Sequence, residues 1–133
     1  MFDHFRQAHA TVHGIEASDE EHLAVLELML LVALADGLLA VDELDRIRDE
    51  VEGGEWETST FNYRSSLGPA MAHVRAVATG DRPAEVRRLV GEIRSPALRQ
   101  EAVAACRAVA GADGQVTGDE ASLVAEVERL AGA

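Results

Sequence analysis

Residues 23–35, LAVLELMLLVALA, carry a single charged side chain, Glu27. A helix made of them is apolar on nearly every face, so it has no side to offer water and belongs at the centre of the fold. Its start is marked by Ser18-Asp19-Glu20-Glu21, a capping box in which the serine oxygen takes an early backbone N–H and the glutamate reaches back to the cap. Asp36-Gly37 marks its end, with a glycine suited to a left-handed C-terminal position. The longest uninterrupted apolar stretch, Leu28 to Ala35, is far short of the roughly 20 residues a membrane-spanning helix needs.

The rest of the chain reads as helices packed around this one. Val41, Leu44, Ile47 and Val51 form one face of the next helix, with Asp42, Asp45, Arg46 and Asp49 opposite, and Gly53-Gly54 stops it. Glu55 to Ser66 holds the only tryptophan and tyrosine and no clear period, as expected of a loop leading into helix. Pro69 is expected to open a helix through Met71, Val74 and Val77, ended by Gly80. Asp81-Arg82-Pro83 restarts the chain into Val86, Leu89, Val90 and Ile93. Ser95-Pro96 is an N-cap followed by proline at the first helical position. The stripe Leu98, Ala102, Ala105, Cys106 and Val109 then runs toward Asp113-Gly114. Thr117-Gly118-Asp119-Glu120 is a second capping box, opening a last helix with Leu123, Val124, Val127 and Leu130. At the N-terminus Phe2, Phe5, His9 and Val12 have helical spacing, which predicts a short amphipathic helix over 1–13. The sum is a single all-α domain over 1–133, with about seven helices and no strand. With aromatics at only 4% of residues, its core must come from Leu, Val, Ile and Ala, which suits helix packing.

Charge narrows the partners. Twenty-four acidic residues against 12 basic ones give a net charge of −12. The chain has no basic surplus from which to build a nucleic-acid-binding face, and an anionic membrane surface repels it. Cations and basic partners remain. A lone cysteine, Cys106, rules out an intramolecular disulfide and sits in an apolar run, where a small buried core residue is expected. Met1 to Glu16 lacks the apolar region of a signal peptide, so a cytoplasmic address is expected.

The most informative pattern is a repeat. Ala35-Asp36-Gly37-Leu38-Leu39-Ala40-Val41-Asp42-Glu43 aligns without a gap on Ala112-Asp113-Gly114-Gln115-Val116-Thr117-Gly118-Asp119-Glu120, at a constant offset of 77. Each copy follows an apolar helix and precedes an amphipathic one, and Ile47 matches Val124. A duplication of one helix–Asp-Gly loop–helix unit, over about 19–52 and about 96–131, accounts for this, and such pairs pack about a pseudo-twofold axis in one bundle.

Asp36, Gly37, Glu43 and Leu44, and again Asp113, Gly114 and Glu120, resemble the signature of the tellurite-resistance TerB-like family: Ala-Asp-Gly after an apolar helix, then an acidic residue seven positions after the aspartate. The N-terminal region of some membrane-anchored J-domain co-chaperones shares the pattern. The motifs cover about a third of the chain, with Ala121 smaller than the usual residue and Ala40 standing where the second copy has Thr117. The resemblance implies an all-helical, stress-associated module with a protein partner, membrane-associated in some systems, and the absence of catalytic motifs adds the expectation that it is non-enzymatic. It also implies a divalent-cation site on Asp36, Asp42, Glu43, Asp113, Asp119 and Glu120. Clustered carboxylates suit hard cations such as Ca²⁺ or Mg²⁺ better than transition metals.

Other chemistries fare worse. An EF-hand register on Gly114 puts Val109 and Gly111 at its first and third ligand positions, and Val32 and Leu34 in the other copy, so two key carboxylates are missing twice. His4, His9 and His13 sit near a terminus without a cysteine, and His22 and His73 are weaker metal candidates still. No phosphate loop, nucleophile motif or metalloprotease signature is present, so a metal-dependent hydrolase is a distant alternative. The main competitor is a metal-free helical interaction domain in which the same acids only cap helices and turns, as Glu120 does for Thr117.

Overall fold

The chain is described here by a computed structural model covering residues 9–12, 15–35, 40–53, 61–78, 80–112 and 118–132. Ser18 and Glu21 form the expected capping box: Ser18 Oγ accepts from the Glu21 N–H at 3.2 Å, and Glu21 Oε1 accepts from the Ser18 N–H at 3.2 Å. The helix they open, α1 (Asp19–Ala33), is buried on all sides, with every residue from Ala24 to Ala35 shielded from solvent. Five helices enclose it: α2 (Val41–Gly53), α3 (Tyr63–Ala78), α4 (Arg82–Glu92), α5 (Pro96–Ala110) and α6 (Gly118–Ala131). All five touch α1, while α5 also packs on α2 and α6, and α4 on α3 and α6.

The enclosing helices are amphipathic, and each turns its apolar stripe inward. Ile47 and Val51 of α2, Val74 of α3, Val86 and Leu89 of α4, Leu98, Cys106 and Val109 of α5, and Val127 of α6 all meet the α1 side chains in one continuous core. Truncating any one large member costs about 2–5 kcal/mol, a sizeable part of the roughly 5–15 kcal/mol by which a domain is stable. Cys106 is fully buried, as expected, and burial pushes its thiol up to about 12. At neutral pH it is therefore an inert core group.

The helical expectation holds, with six helices among the described residues rather than about seven, but the expectation of no strand fails at a short N-terminal hairpin. Of the N-terminal helix expected over 1–13, residues 1–8 and 13 lie outside the described residues, and residues 9–12 are not helical. Instead β1 (His9–Val12) pairs antiparallel with β2 (Ile15–Ser18), in a register running from His9 opposite Ser18 to Val12 opposite Ile15. Thr11, Val12 and Ile15 are β-branched, which suits them to a strand.

Pro69 does not open α3 but lies inside it. The helix starts earlier, at Tyr63, where Asn62 Oδ1 accepts from the Ser65 N–H at 2.9 Å. An interior proline forfeits a helical hydrogen bond and strains the turn before it; here Gly68 and Pro69 both face solvent, and the apolar face carrying Ala70 and Val74 keeps the helix in place. Ser95 caps α5 as expected, its Oγ accepting from the Leu98 N–H at 3.2 Å, and Asp81 caps α4, accepting from the Ala84 N–H at 3.0 Å; the Thr117 cap lies outside the described residues. Among the described residues no helix is long and apolar enough to cross a membrane.

Glu21 does more than cap α1. Its second oxygen accepts from the backbone N–H groups of Arg94 at 3.1 Å and Ser95 at 3.3 Å, in the α4–α5 corner. Burial alone raises the Glu21 pKa, but the hydrogen bonds from Ser18, Ser95 and Arg94 outweigh it and hold the carboxyl below its ordinary 4.5. A lowered folded-state value means the stabilisation is complete above the unfolded-state pKa and is lost as pH falls through the folded-state one. Glu21→Gln is expected to lower stability by about 1–3 kcal/mol at pH 7, with the gap to the parent closing as pH falls below 4.5. Urea unfolding at a series of pH values measures both.

Candidate functional site

Two places in the fold gather acidic chemistry. The first is the pair of Asp-Gly loops. Asp36 and Asp113 lie outside the described residues, as do Gly37, Gly114 and Thr117. The four remaining candidates divide in the same way in both copies. Asp42 and Asp119 are exposed, whereas Glu43 and Glu120 are only 2% and 1% exposed. Each glutamate is the third residue of its helix, α2 or α6. Asp42 also lines a groove of about 460 Å³ with Asp45, Arg46, Arg107, Gly111 and Ala112. The start of α2, just after the first loop, thus faces the end of α5, just before the second.

The second place is built around Glu27, the one charge in the apolar helix. Glu27 is 6% exposed, and its carboxylate points toward α3 and α4. His73 of α3 and Glu85 of α4 join it, so that one ligand atom from each lies within 4.8 Å of the other two. Arg88, one turn after Glu85 on α4, reaches into this group. Its guanidinium donates to Glu85 through Nε at 3.0 Å and also through Nη2, and to Glu92 through Nη1 at 2.6 Å. Nη2 lies 3.3 Å from His73 Nε2 and 3.8 Å from Glu27 Oε1. His73 Nε2 is also 3.4 Å from Glu85 Oε1.

The two carboxylates are tuned in opposite directions. The hydrogen bond from Arg88 holds Glu85 below the usual carboxylate range, against the cost of its burial. Burial raises Glu27, and the nearby charges of His73 and Arg88 offset this only in part. The difference is geometric: Arg88 makes hydrogen bonds to Glu85 but only a long ionic contact to Glu27. Glu27 accepts no hydrogen bond among the described residues. Beside it opens a cavity of about 450 Å³, lined by Glu27 and His73 together with Leu23, Phe61, Ser65 and Pro69.

This cluster was not foreseen. Glu27 stood out only as an interruption of the apolar run, and His73 ranked among the weakest metal candidates. Glu27, His73 and Glu85 stand on three separate helices with no characteristic spacing, so only packing brings them together. A signal existed: a charge within a helix buried on every face demands a partner. The other internal histidine, His22, is fully buried with its ring stacked against Phe61 at a centroid distance of 6.3 Å, and it belongs to the core.

A carboxyl whose folded-state pKa is raised binds its proton more tightly when folded. Its ionisation therefore costs stability as pH rises through the folded-state value. Glu27→Gln removes that cost and is expected to raise stability at pH 7 by about 1 kcal/mol. The gain should disappear below the ordinary glutamate value of 4.5, where Glu27 is itself protonated. Thermal melts of both proteins at pH 7 and pH 4 check this.

The chain matches no family model, and comparison with curated proteins and with solved structures likewise finds no match.

Proposed function

We propose that this chain is a non-enzymatic, TerB-like, stress-associated module that binds a divalent cation, Ca²⁺ or Mg²⁺, through its two Asp-Gly loops. The observation that carries the proposal is the shared burial of Glu43 and Glu120. These residues stand 77 positions apart, each third in its helix, and each has its carboxylate nearly closed off from water. A carboxylate is costly to bury unless a charge or hydrogen bonds compensate it, so the equivalent burial of two glutamates marks a requirement that the two units share. The proposed ligands are Asp36, Asp42, Glu43, Asp113, Asp119 and Glu120.

The helix packing supports a pseudo-symmetric arrangement of the two units. The first helices of the units, α1 and α5, pack on each other; α2 packs on α5, and α6 packs on α1. Exchanging one unit for the other leaves this set of contacts unchanged, as a twofold axis between α1 and α5 requires. The residues flanking the two loops agree with this, since Asp42, after the first, shares a groove with Gly111 and Ala112, before the second. In this reading the module works in the cytoplasm through a protein partner, membrane-associated in some members of the family it resembles.

A second reading has its own observation. Arg82 Nη1 donates to the Ala35 carbonyl at 2.6 Å, which sets a guanidinium at the residue before Asp36. A built-in cation there favours a metal-free helical scaffold whose loop acids serve as caps.

Thermal unfolding of chelator-stripped protein with Ca²⁺, Mg²⁺, Mn²⁺ or chelator separates the two readings. Under the proposal one cation at a hundred times its Kd raises stability by about 2.7 kcal/mol, and an Asp36→Asn/Asp113→Asn variant loses the rise. No shift at millimolar metal leaves the metal-free scaffold.

A further inference from the structure

We propose that Glu27, His73 and Glu85 form a second cation site, separate from the Asp-Gly loops and suited to Zn²⁺ or a similar first-row divalent metal, with Arg88 as the built-in cation that such a metal displaces. Three ligands of the appropriate chemistry come from three different helices. Glu27 comes from α1, His73 from α3 and Glu85 from α4. One imidazole nitrogen and two carboxylates make a mixed N/O set, which suits Zn²⁺, Mn²⁺ or Ni²⁺ better than Ca²⁺ or Mg²⁺. Three protein ligands also leave a coordination position open, and the cavity beside Glu27 and His73 supplies room for a water there.

One atom already marks the cation position. Arg88 Nη2 lies 3.3 Å from His73 Nε2 and 3.8 Å from Glu27 Oε1, and it donates to Glu85 Oε1. His73 Nε2 lies between Arg88 Nη2 and Glu85 Oε1, 3.4 Å from the latter; an arginine cannot accept a hydrogen bond, so it is in the neutral Nδ1–H tautomer that Nε2 accepts from Arg88. The lone pair that meets Arg88 is the one a metal would take. A guanidinium bound to the glutamate of its own helix satisfies only part of the group: Glu27 is 6% exposed, lines the cavity, and accepts no hydrogen bond among the described residues. A compact divalent ion would serve Glu27 and Glu85 together.

The groups that must move are those with freedom to do so. Neighbouring ligand atoms around a tetrahedral Zn²⁺ are about 3.4 Å apart, so the present group, spread over up to 4.8 Å, must contract by roughly 1 Å. The side chains of His73 and Arg88 are each 43% exposed, whereas those of Glu27 and Glu85 are 7% and 10% exposed. The buried carboxylates therefore act as the fixed wall and His73 as the closing ligand. Arg88 keeps its bond to the exposed Glu92 as it swings out.

Isothermal titration of the chelator-stripped full chain with Zn²⁺ tests this, together with the ¹⁵N shift of the His73 imidazole. The expected result is saturable binding that moves the His73 Nε2 resonance. His73→Ala and Glu27→Gln should each weaken it at least tenfold, and Arg88→Met should tighten it by a similar factor, because a competing cation has gone. Glu27→Gln removes an unfavourable charge, so its loss of binding is not a loss of fold, and circular dichroism verifies this. The Asp36→Asn/Asp113→Asn variant should bind Zn²⁺ as the parent does, so failure here and failure of the loop site are distinguishable. Binding indifferent to His73→Ala and Glu27→Gln, or absent from both the parent and Arg88→Met, would overturn the proposal and leave Arg88 as the permanent counter-ion of a structural network.

Discussion

Everything in this fold follows from the need to cover α1. A helix with apolar side chains on every face gains stability only when water is removed from its whole circumference, and one or two partners cannot do that. Five helices surround it, and each needs just one apolar stripe to take part. This explains why α2 can carry Asp42, Asp45, Arg46 and Asp49 on its outer side while Ile47 and Val51 anchor it. It also explains why α3 survives an interior proline, since a helix held by its apolar face tolerates a missing backbone bond.

The same enclosure sets the price of each polar group admitted to the interior. Glu21 is admitted with hydrogen bonds to both oxygens, and it ties the start of α1 to the α4–α5 corner. Glu85 is admitted with Arg88 beside it. Glu27 is the exception, with a distant guanidinium and a cavity at its side. Two carboxylates of the same type, a few ångströms apart, are therefore shifted in opposite senses by the presence or absence of donors. A buried group left short of partners is where a protein trades stability for another property, and that makes Glu27 the most informative single residue in the molecule.

On the surface the accounting is more ordinary. Several arginines close short-range pairs with glutamates: Arg46 with Glu50, Arg48 with Glu52, and Arg129 with Glu126. Arg107 reaches across from α5 to Glu128 of α6. Exposed pairs of this kind contribute little to stability. With 24 acids and 12 bases, acidic side chains outnumber basic ones two to one, and the chain carries a net negative field.

Much of the architecture was legible in the sequence, because its signals are local. Capping residues compete for backbone groups within three or four positions, and hydrophobic period is read within one helix, so Ser18, Ser95 and the buried character of α1 and Cys106 could be named from the chain alone. The repeat of Asp-Gly and Glu at a fixed offset was visible for the same reason. Where two local signals competed, as at the proline within α3, the sequence was ambiguous and packing chose. The Glu27–His73–Glu85 group was decided by tertiary structure only. No periodicity links residues on three helices; their meeting depends on how α3 and α4 lie against α1, and that is set by the shape of a core to which none of the three contributes an apolar atom stripe.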